Sequence, residues 1–374
     1  MSRPVLSFIL CSRNDNYMGN SRWRLETALN YVAAEIQALG READVEILVT
    51  DWGSESPLHE AVRLTPAAAR LTTFLLVPPD RARSLQRDSP FAEVFALNIA
   101  ARRARGTYIG RIDQDTLVGR RFLSVFFDIV EGRHSTATRL QMGFSNIKMI
   151  PYRLAVLCPS SSSVALFIHW FGRRIRRQNE HSRAPYYDMA VGIWLLHRDV
   201  WAECGGYDER MIYMNSMEIN MTRRLLPKYT MVNLGELSGW DFYHLEHYHP
   251  WMQRSSSVFR KTNNDPRFTS PEPVNPNGED WGLPTEVVEM QRATPAATEA
   301  GRRPLARVAF LLLLVRVGAA VSGDVIGLAL RHRWNRLLRA REMVRGRPLT
   351  AWPGVIQQRR QERKAGRLQT KRRA

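Results

Sequence analysis

The first 130 residues alternate short apolar runs with helical stripes, and that alternation restricts the chain to very few architectures. Residues 5–11, 45–50, 72–77 and 106–112 are continuous apolar runs of strand length. Between them, residues 21–39 place Leu25, Leu29, Val32, Ile36 and Leu39 at spacings of 4, 3, 4 and 3. That is a helical stripe, and Gly40 stops it. Pro57 opens a helix expected to reach residue 64, and residues 90–105 and 121–130 supply two more. Strands alternating with helices predict a doubly wound α/β fold with a mostly parallel sheet. Right-handed crossovers then bring the loop after each strand to one edge, so Asn14, Asp51 and Asp113 are expected to converge.

Later elements are less regular. Residues 190–197 and 238–247 read as strands, 205–209 as a turn and 216–226 as a helix. The run 173–177 is locally basic, a solvated face on its own terms. Residues 262–304 hold seven of the twenty prolines and read as a loop-rich linker. The expected division is therefore a catalytic-type domain over 1–261, a linker over 262–304 and a basic helical tail over 305–374.

The net charge of +18 suggests a nucleic-acid or membrane partner until it is mapped. From residue 302 onward, 19 Lys and Arg face only Asp324, Glu342 and Glu362, so +16 of the total sits there. The remaining body is almost neutral, and no specific nucleic-acid partner is expected. Residues 305–330 are apolar but interrupted by Arg307, Arg316 and Asp324, each costing up to about 3 kcal/mol at a bilayer centre. An amphipathic helix on an anionic membrane surface, or one packed on the body, fits them better than a membrane span. Cys11, Cys158 and Cys204 have neither zinc spacing nor a disulfide framework, which suits a reducing compartment. The amino terminus reads as a first strand without a cleavage site, so a cytoplasmic protein peripherally attached to the inner membrane face is expected.

The acids of Asp113-Gln114-Asp115 follow a buried strand, where α/β sheets bind ligands. Two acids placed there can hold a divalent metal, and the metal a diphosphate. Solvated strand-end acids are the plainer alternative. Further segments accompany the triplet in a fixed order: Cys11-Ser12-Arg13-Asn14, then Val49-Thr50-Asp51-Trp52-Gly53-Ser54, then Leu97-Asn98-Ile99-Ala100 and Ala104-Arg105-Gly106. After the triplet come Gly205-Gly206-Tyr207-Asp208-Glu209, Met217-Glu218-Ile219-Asn220 and Tyr243-His244-Leu245-Glu246-His247.

In that order and spacing the chain resembles a family 2 glycosyltransferase of the GT-A fold, over roughly residues 5–249. The resemblance implies a metal-dependent, inverting transfer from a nucleotide sugar, most often a UDP-sugar, to a glycan or lipid-linked acceptor. Asp115 would ligate Mn²⁺ or Mg²⁺, with His244 first and His247 second as candidates to complete the metal sphere. If the strand alternated throughout, His247 and His249 would share one face and His244 would take the other. A separate zinc site or a polar histidine loop are the rival readings. Asp113 would face the ribose or a metal-bound water, beside Gln114. Ser12, Arg13 and Asn14 would line the base pocket, Asp51 would accept hydrogen bonds from base or ribose while also shaping a turn, and Asn98 would reach the nucleotide. Gly206, Tyr207 and Asp208 would shape the acceptor side, and Glu218 would be the general base. Met217 stands where the family has a first acid, and Asn220 where a further acid is common. Those departures raise the alternative of a catalytically weakened binding or assembly subunit at the membrane.

Overall fold

The computed structural model describes residues 3–17, 19–134, 140–151, 160–175, 177, 192–213, 216–247, 263, 268 and 274–296. The tail over 305–374, Cys158 and His249 lie outside the described residues.

Four strands form the heart of the sheet: β1 (Leu6–Ser12), β2 (Val45–Trp52), β3 (Thr72–Val77) and β4 (Tyr108–Arg111). β1 pairs in parallel with β2 on one side and β4 on the other, and β2 pairs in parallel with β3. Every residue of β2 is buried, and in β1 only Cys11 is partly exposed. Burial on both faces is why these strands read as continuous apolar runs. α1 (Ser21–Ala38) packs with α3 (Pro66–Leu71) and α6 (Arg120–Val130), whereas α5 (Glu93–Arg103) packs on β1 and β2. Ile9, Leu48, Trp52, Leu97 and Ala100 belong to one buried cluster.

The α/β fold with helices flanking a mostly parallel sheet is the one expected, and some of its strands run antiparallel. Its order is β11-β3-β2-β1-β4-β8-β6-β9, with β6 (Met142–Asn146), β8 (Gly192–His197), β9 (Met231–Asn233) and β11 (Glu289–Gln291). β8 runs antiparallel to both β4 and β6, and β11 antiparallel to β3. An apolar run marks a strand without giving its direction, and the strand–helix alternation that implies parallel pairing covers only the first four strands. A second sheet, β5-β10-β7, comprises β5 (Thr116–Val118), β7 (Lys148–Ile150) and β10 (Phe242–Leu245).

Three boundaries differ from expectation. The helix opened by Pro57 stops early as α2 (Leu58–Ala61), because Pro66 begins α3 and Thr65, extended before it, caps that helix through Ala68 N. The Pro78-Pro79 pair starts an unexpected helix, α4 (Pro79–Gln86). The strand expected from residue 238 begins at Phe242, since Gly239 and Trp240 adopt left-handed backbone after α10 (Leu234–Leu237). The remaining helices are α7 (Ser161–Phe171), α8 (Arg198–Cys204) and α9 (Met217–Leu225).

Part of the stretch read as a linker is built into the body. Trp281 is buried under the Arg102 guanidinium, 4.8 Å from its ring centroid. Arg103 donates to Gly282 O at 2.8 Å and Glu286 O at 2.8 Å, and β11 extends the sheet at β3. Prolines gave this segment its loop character, yet its backbone pairs with the sheet edge at β3 and its Trp281 is buried.

The start of the central strands is locked by one buried acid. Ser7 Oγ donates to Glu46 Oε1 at 2.7 Å, Arg105 N donates to the same oxygen at 2.6 Å, and Gly106 N donates to Ser7 Oγ at 2.7 Å. A Cβ at Gly106 would sit 2.5 Å from Ser7 N. Gly106→Ala is therefore expected to destabilise the protein by roughly 1–3 kcal/mol, read as a lower urea midpoint with an unchanged slope.

Candidate functional site

Strand register creates the site. Ser12 lies opposite Asp51, and Ile9 opposite Arg111, so the carboxyl ends of β1, β2 and β4 open on one edge. After β4 the chain turns sharply: Asp113 N donates to Thr116 Oγ1 and Thr116 N to Asp113 O, both at 3.1 Å. The turn leads into β5, which pairs antiparallel with β10, setting Thr116 opposite His244. Leu245 N donates to Asp115 O at 3.0 Å. This ladder delivers histidines from more than a hundred residues away to the acid.

Asp115 is 2% exposed. Its Oδ1 lies 3.1 Å from His244 Nδ1 and its Oδ2 3.5 Å from His247 Nε2. Ligand atoms of Asp115, His244 and His247 all fall within 4.8 Å of one another. Both histidines therefore meet one carboxylate. The expected split of His244 from His247 fails because β10 ends at Leu245 and strand alternation ends with it. His244 Nδ1 is buried and makes no hydrogen bond despite its closeness to Asp115. An imidazole nitrogen that faces a carboxylate without donating to it fits a shared cation. One carboxylate with two imidazoles suits Mn²⁺ better than Mg²⁺, which prefers oxygen ligands.

Arg24, from α1, also pairs with Asp115 Oδ2 and donates to Tyr17 O at 2.6 Å and Gly19 O at 3.3 Å. Burial alone would raise the Asp115 carboxyl, but His244, Arg24 and His247 outweigh it and hold it below the usual range.

The acid two residues earlier belongs to a different group. Asp113 Oδ1 lies 2.7 Å from Arg111 Nη2. The same nitrogen is 2.8 Å from Glu93 Oε1 and 3.1 Å from Glu218 Oε1. Glu218 thus reaches the strand end from the first turn of α9. Burial is the main cause that raises the Glu218 carboxyl, with Arg111 opposing it and Asp113 adding to it. Burial likewise pushes Glu93 up to about 7 against the pull of Arg111.

The polar loops after β1 and β2 are knitted together beside these groups. Ser12 Oγ donates to Gln114 Oε1 at 2.5 Å, and Arg13 pairs with Asp15 at 2.7 Å and donates to Pro90 O at 3.0 Å. Asn14 N donates to Ser54 Oγ at 2.8 Å. Both oxygens of Asp51 are engaged locally, by Ser54 Oγ and by Leu58 N at 2.7 Å. Asp51 thus performs the turn-shaping role considered for it, and any ligand contact must share its oxygens.

Asn98, expected to reach a nucleotide, does not join the loops after β1 and β2. It is wholly buried in α5, where Nδ2 donates to Tyr207 O at 2.8 Å and Glu209 Oε1 at 3.0 Å, and Oδ1 accepts from Tyr207 N at 2.8 Å. It clamps the Gly205-Gly206 turn, whose glycines have φ of +62° and +71°. A Cβ on Gly206 would meet Asn98 Oδ1 at 2.3 Å. A polar residue on an apolar helix face here satisfies a buried turn. Tyr207 and Asp208 are also buried, and Asp208 binds Arg210 through both oxygens at 2.9 and 2.7 Å. Gly206, Tyr207 and Asp208, expected to shape an acceptor side, are thus a buried turn held by Asn98.

Sequence reasoning missed Arg24, Glu93 and Arg111. The available signal was charge: Arg111 lies in a buried strand and Arg24 beside Leu25 in a helical stripe, and each needs a buried counter-charge. Asn98→Ala should lower stability by about 1–3 kcal/mol through its lost buried hydrogen bonds, measured by urea denaturation, while ligand binding by the folded protein stays unchanged.

No family model matches the sequence, and no curated protein matches it. Among solved structures, the chain is similar to the catalytic domain of Drosophila β1,4-galactosyltransferase 7 in complex with xylobiose, at 12% identity and TM-score 0.38 over 71% of this chain and 78% of that one. A mutant of that enzyme in complex with manganese, UDP-Gal and xylobiose gives 10% identity and TM-score 0.38 over 71% and 79%. S. aureus TarS with UDP-GlcNAc gives 14% identity and TM-score 0.27 over 39% of this chain and 35% of that one. At such TM-scores the likeness carries no weight for the chemistry.

Proposed function

We propose that the chain is a metal-dependent, inverting glycosyltransferase that moves a sugar from a nucleotide sugar, with a UDP-sugar as donor, to a glycan or lipid-linked acceptor. The observation that supports this most is the meeting of Asp115, His244 and His247 at the carboxyl end of β4, beside the Arg111-linked acids Asp113 and Glu218. Cation-holding groups and a candidate base then flank one strand end, which is what displacement at an anomeric carbon needs.

Asp115, His244 and His247 would hold Mn²⁺, which supplies Lewis-acid neutralisation of the diphosphate leaving group. In the protein itself His244 and then Arg24 hold the Asp115 carboxyl below the usual range. Asp113, partly exposed, is available to a ribose hydroxyl, and the loop from Ser12 to Asn14 with Gln114 would border the nucleotide. Glu218 would take the proton of the acceptor hydroxyl as that oxygen attacks. A raised carboxyl is a stronger base once ionised, so the environment of Glu218 suits the task. A membrane-bound acceptor would suit the basic tail. Among the described residues no helix is long and apolar enough to cross a membrane.

Met217 and Asn220 favour the second reading, a weakened binding or assembly subunit. Met217 is buried in the core, and Asn220 is engaged by Phe268 O and Arg224, at 2.9 and 3.0 Å. Neither position offers an acid to substrate.

Purified protein with Mn²⁺ and a panel of nucleotide sugars should show transfer or slow hydrolysis, and chelation should remove it. Asp115→Ala should abolish turnover, and unaltered turnover would exclude the metal assignment. Glu218→Gln should lower transfer by about 10²–10⁴-fold with nucleotide binding, measured by calorimetry, retained. Because Glu218 acts as a base and is raised, the acidic limb of the parent's kcat/KM profile should lie above the ordinary glutamate range. A parent chain that binds a nucleotide sugar but transfers it to no acceptor would favour the weakened subunit.

A further inference from the structure

Beside Met217, the start of α9 offers Glu218 as its sole acid. The rest of the fold adds two groups that the local sequence does not. Arg111 Nη2 donates a hydrogen bond to Glu93 Oε1 at 2.8 Å, and the same nitrogen stands 3.1 Å from Glu218 Oε1 and 2.7 Å from Asp113 Oδ1. A guanidinium nitrogen of this kind carries two N–H bonds, so three carboxylates compete for it. Of the three, Glu93 holds the hydrogen bond. Arg111 Nε is buried and has no hydrogen-bond partner, and neither has the hydroxyl of the wholly buried Tyr207.

We infer that Glu93 and Arg111 are positioning residues for Glu218: Glu93 anchors the guanidinium, and the guanidinium fixes the place and the charge of the glutamate at the start of α9. The role of Glu218 as a base rests on the glycosyltransferase reading; the network rests on these distances alone. Glu93 lies at the start of α5, so the second carboxylate that shares Arg111 with Glu218 comes from another element, while α9 itself carries the buried Met217 beside Glu218.

The charged and titratable groups facing Glu218 are Arg111 and Asp113 at the end of β4, Glu93 in α5 and Tyr207 in the turn after α8. Cys11 in β1 faces Glu93, Arg111 and Asp113. One cation among three carboxylates leaves an excess of negative charge, which favours holding a proton. Gln at position 93 would keep the shape and an acceptor oxygen but remove one negative charge. Arg111, held by a weaker neutral acceptor, would then be freer to pair with Glu218, whose carboxyl it lowers, and Glu218 would ionise more readily.

The test has two arms. In the full chain without substrate, urea midpoints near about pH 8, where free carboxyls are ionised, are compared for the parent, Glu93→Gln, Glu218→Gln and the double variant. The shift in the double variant is expected to differ from the sum of the single shifts; additive shifts overturn the inference. In the second arm, transfer from a nucleotide sugar with Mn²⁺ is followed against pH. Glu93→Gln is expected to move the acidic limb of kcat/KM down by about one pH unit, leaving the KM for the nucleotide sugar unchanged. Arg111→Met, which strips the cation, is expected to move that limb up. An unmoved limb in Glu93→Gln overturns the positioning role even when the midpoints couple. A parent that turns over no nucleotide sugar overturns the glycosyltransferase reading instead, and the urea arm still decides the network.

Discussion

The parallel pairing of β1 on both flanks is the constraint on which the rest depends. Through β2 it sets Ser12 across from Asp51, and through β4 it sets Ile9 across from Arg111. A slip of one residue would turn alternate side chains to the wrong face. Such a slip is costly because both faces of these strands are dry. The amino-terminal side is pinned as well, since Ser7, Glu46, Arg105 and Gly106 share one buried hydrogen-bond cluster. What emerges at the opposite end is therefore fixed in height.

Charge then divides that end into two. Arg24 serves Asp115, and Arg111 serves Asp113 with Glu93 and Glu218. Removing water from an acid is expensive unless a partner is close, and each buried arginine answers that requirement for its own acid. The two acids of one triplet consequently belong to different chemistry. One faces the histidines, and the other faces the start of α9. Two residues of separation at a sharp turn suffice to part them.

Much of the architecture was legible. The apolar runs marked β1 to β4 closely, and the stripe from Leu25 to Ile36 marked α1, because dry strands and amphipathic helices leave plain periodicities. The direction of β8 was not legible, since burial demands apolar residues whichever way a strand runs. Asn98 misled for a related reason. A buried asparagine and a ligand-binding one look alike in sequence, and only the turn folded over it reveals which it is. The two histidines were placed on opposite faces by assuming a strand that the chain leaves at Leu245. The β11 pairing hid among prolines, whose spacing spoke only of loops.

By itself the sequence determined which segments are buried, where strands hand over to polar loops, and that Asp51, Asp113 and Asp115 stand at such endings. Those properties are local, set by hydropathy and period. Only the tertiary structure decided who meets whom. The β5·β10 ladder brought His244 and His247 to Asp115, and the packing of α5 on β1 and β2, together with the first turn of α9, brought Glu93 and Glu218 to one nitrogen of Arg111. Charge pairing inside a dry interior depends on distances of a few ångströms between residues far apart in the chain, and no local pattern encodes such distances.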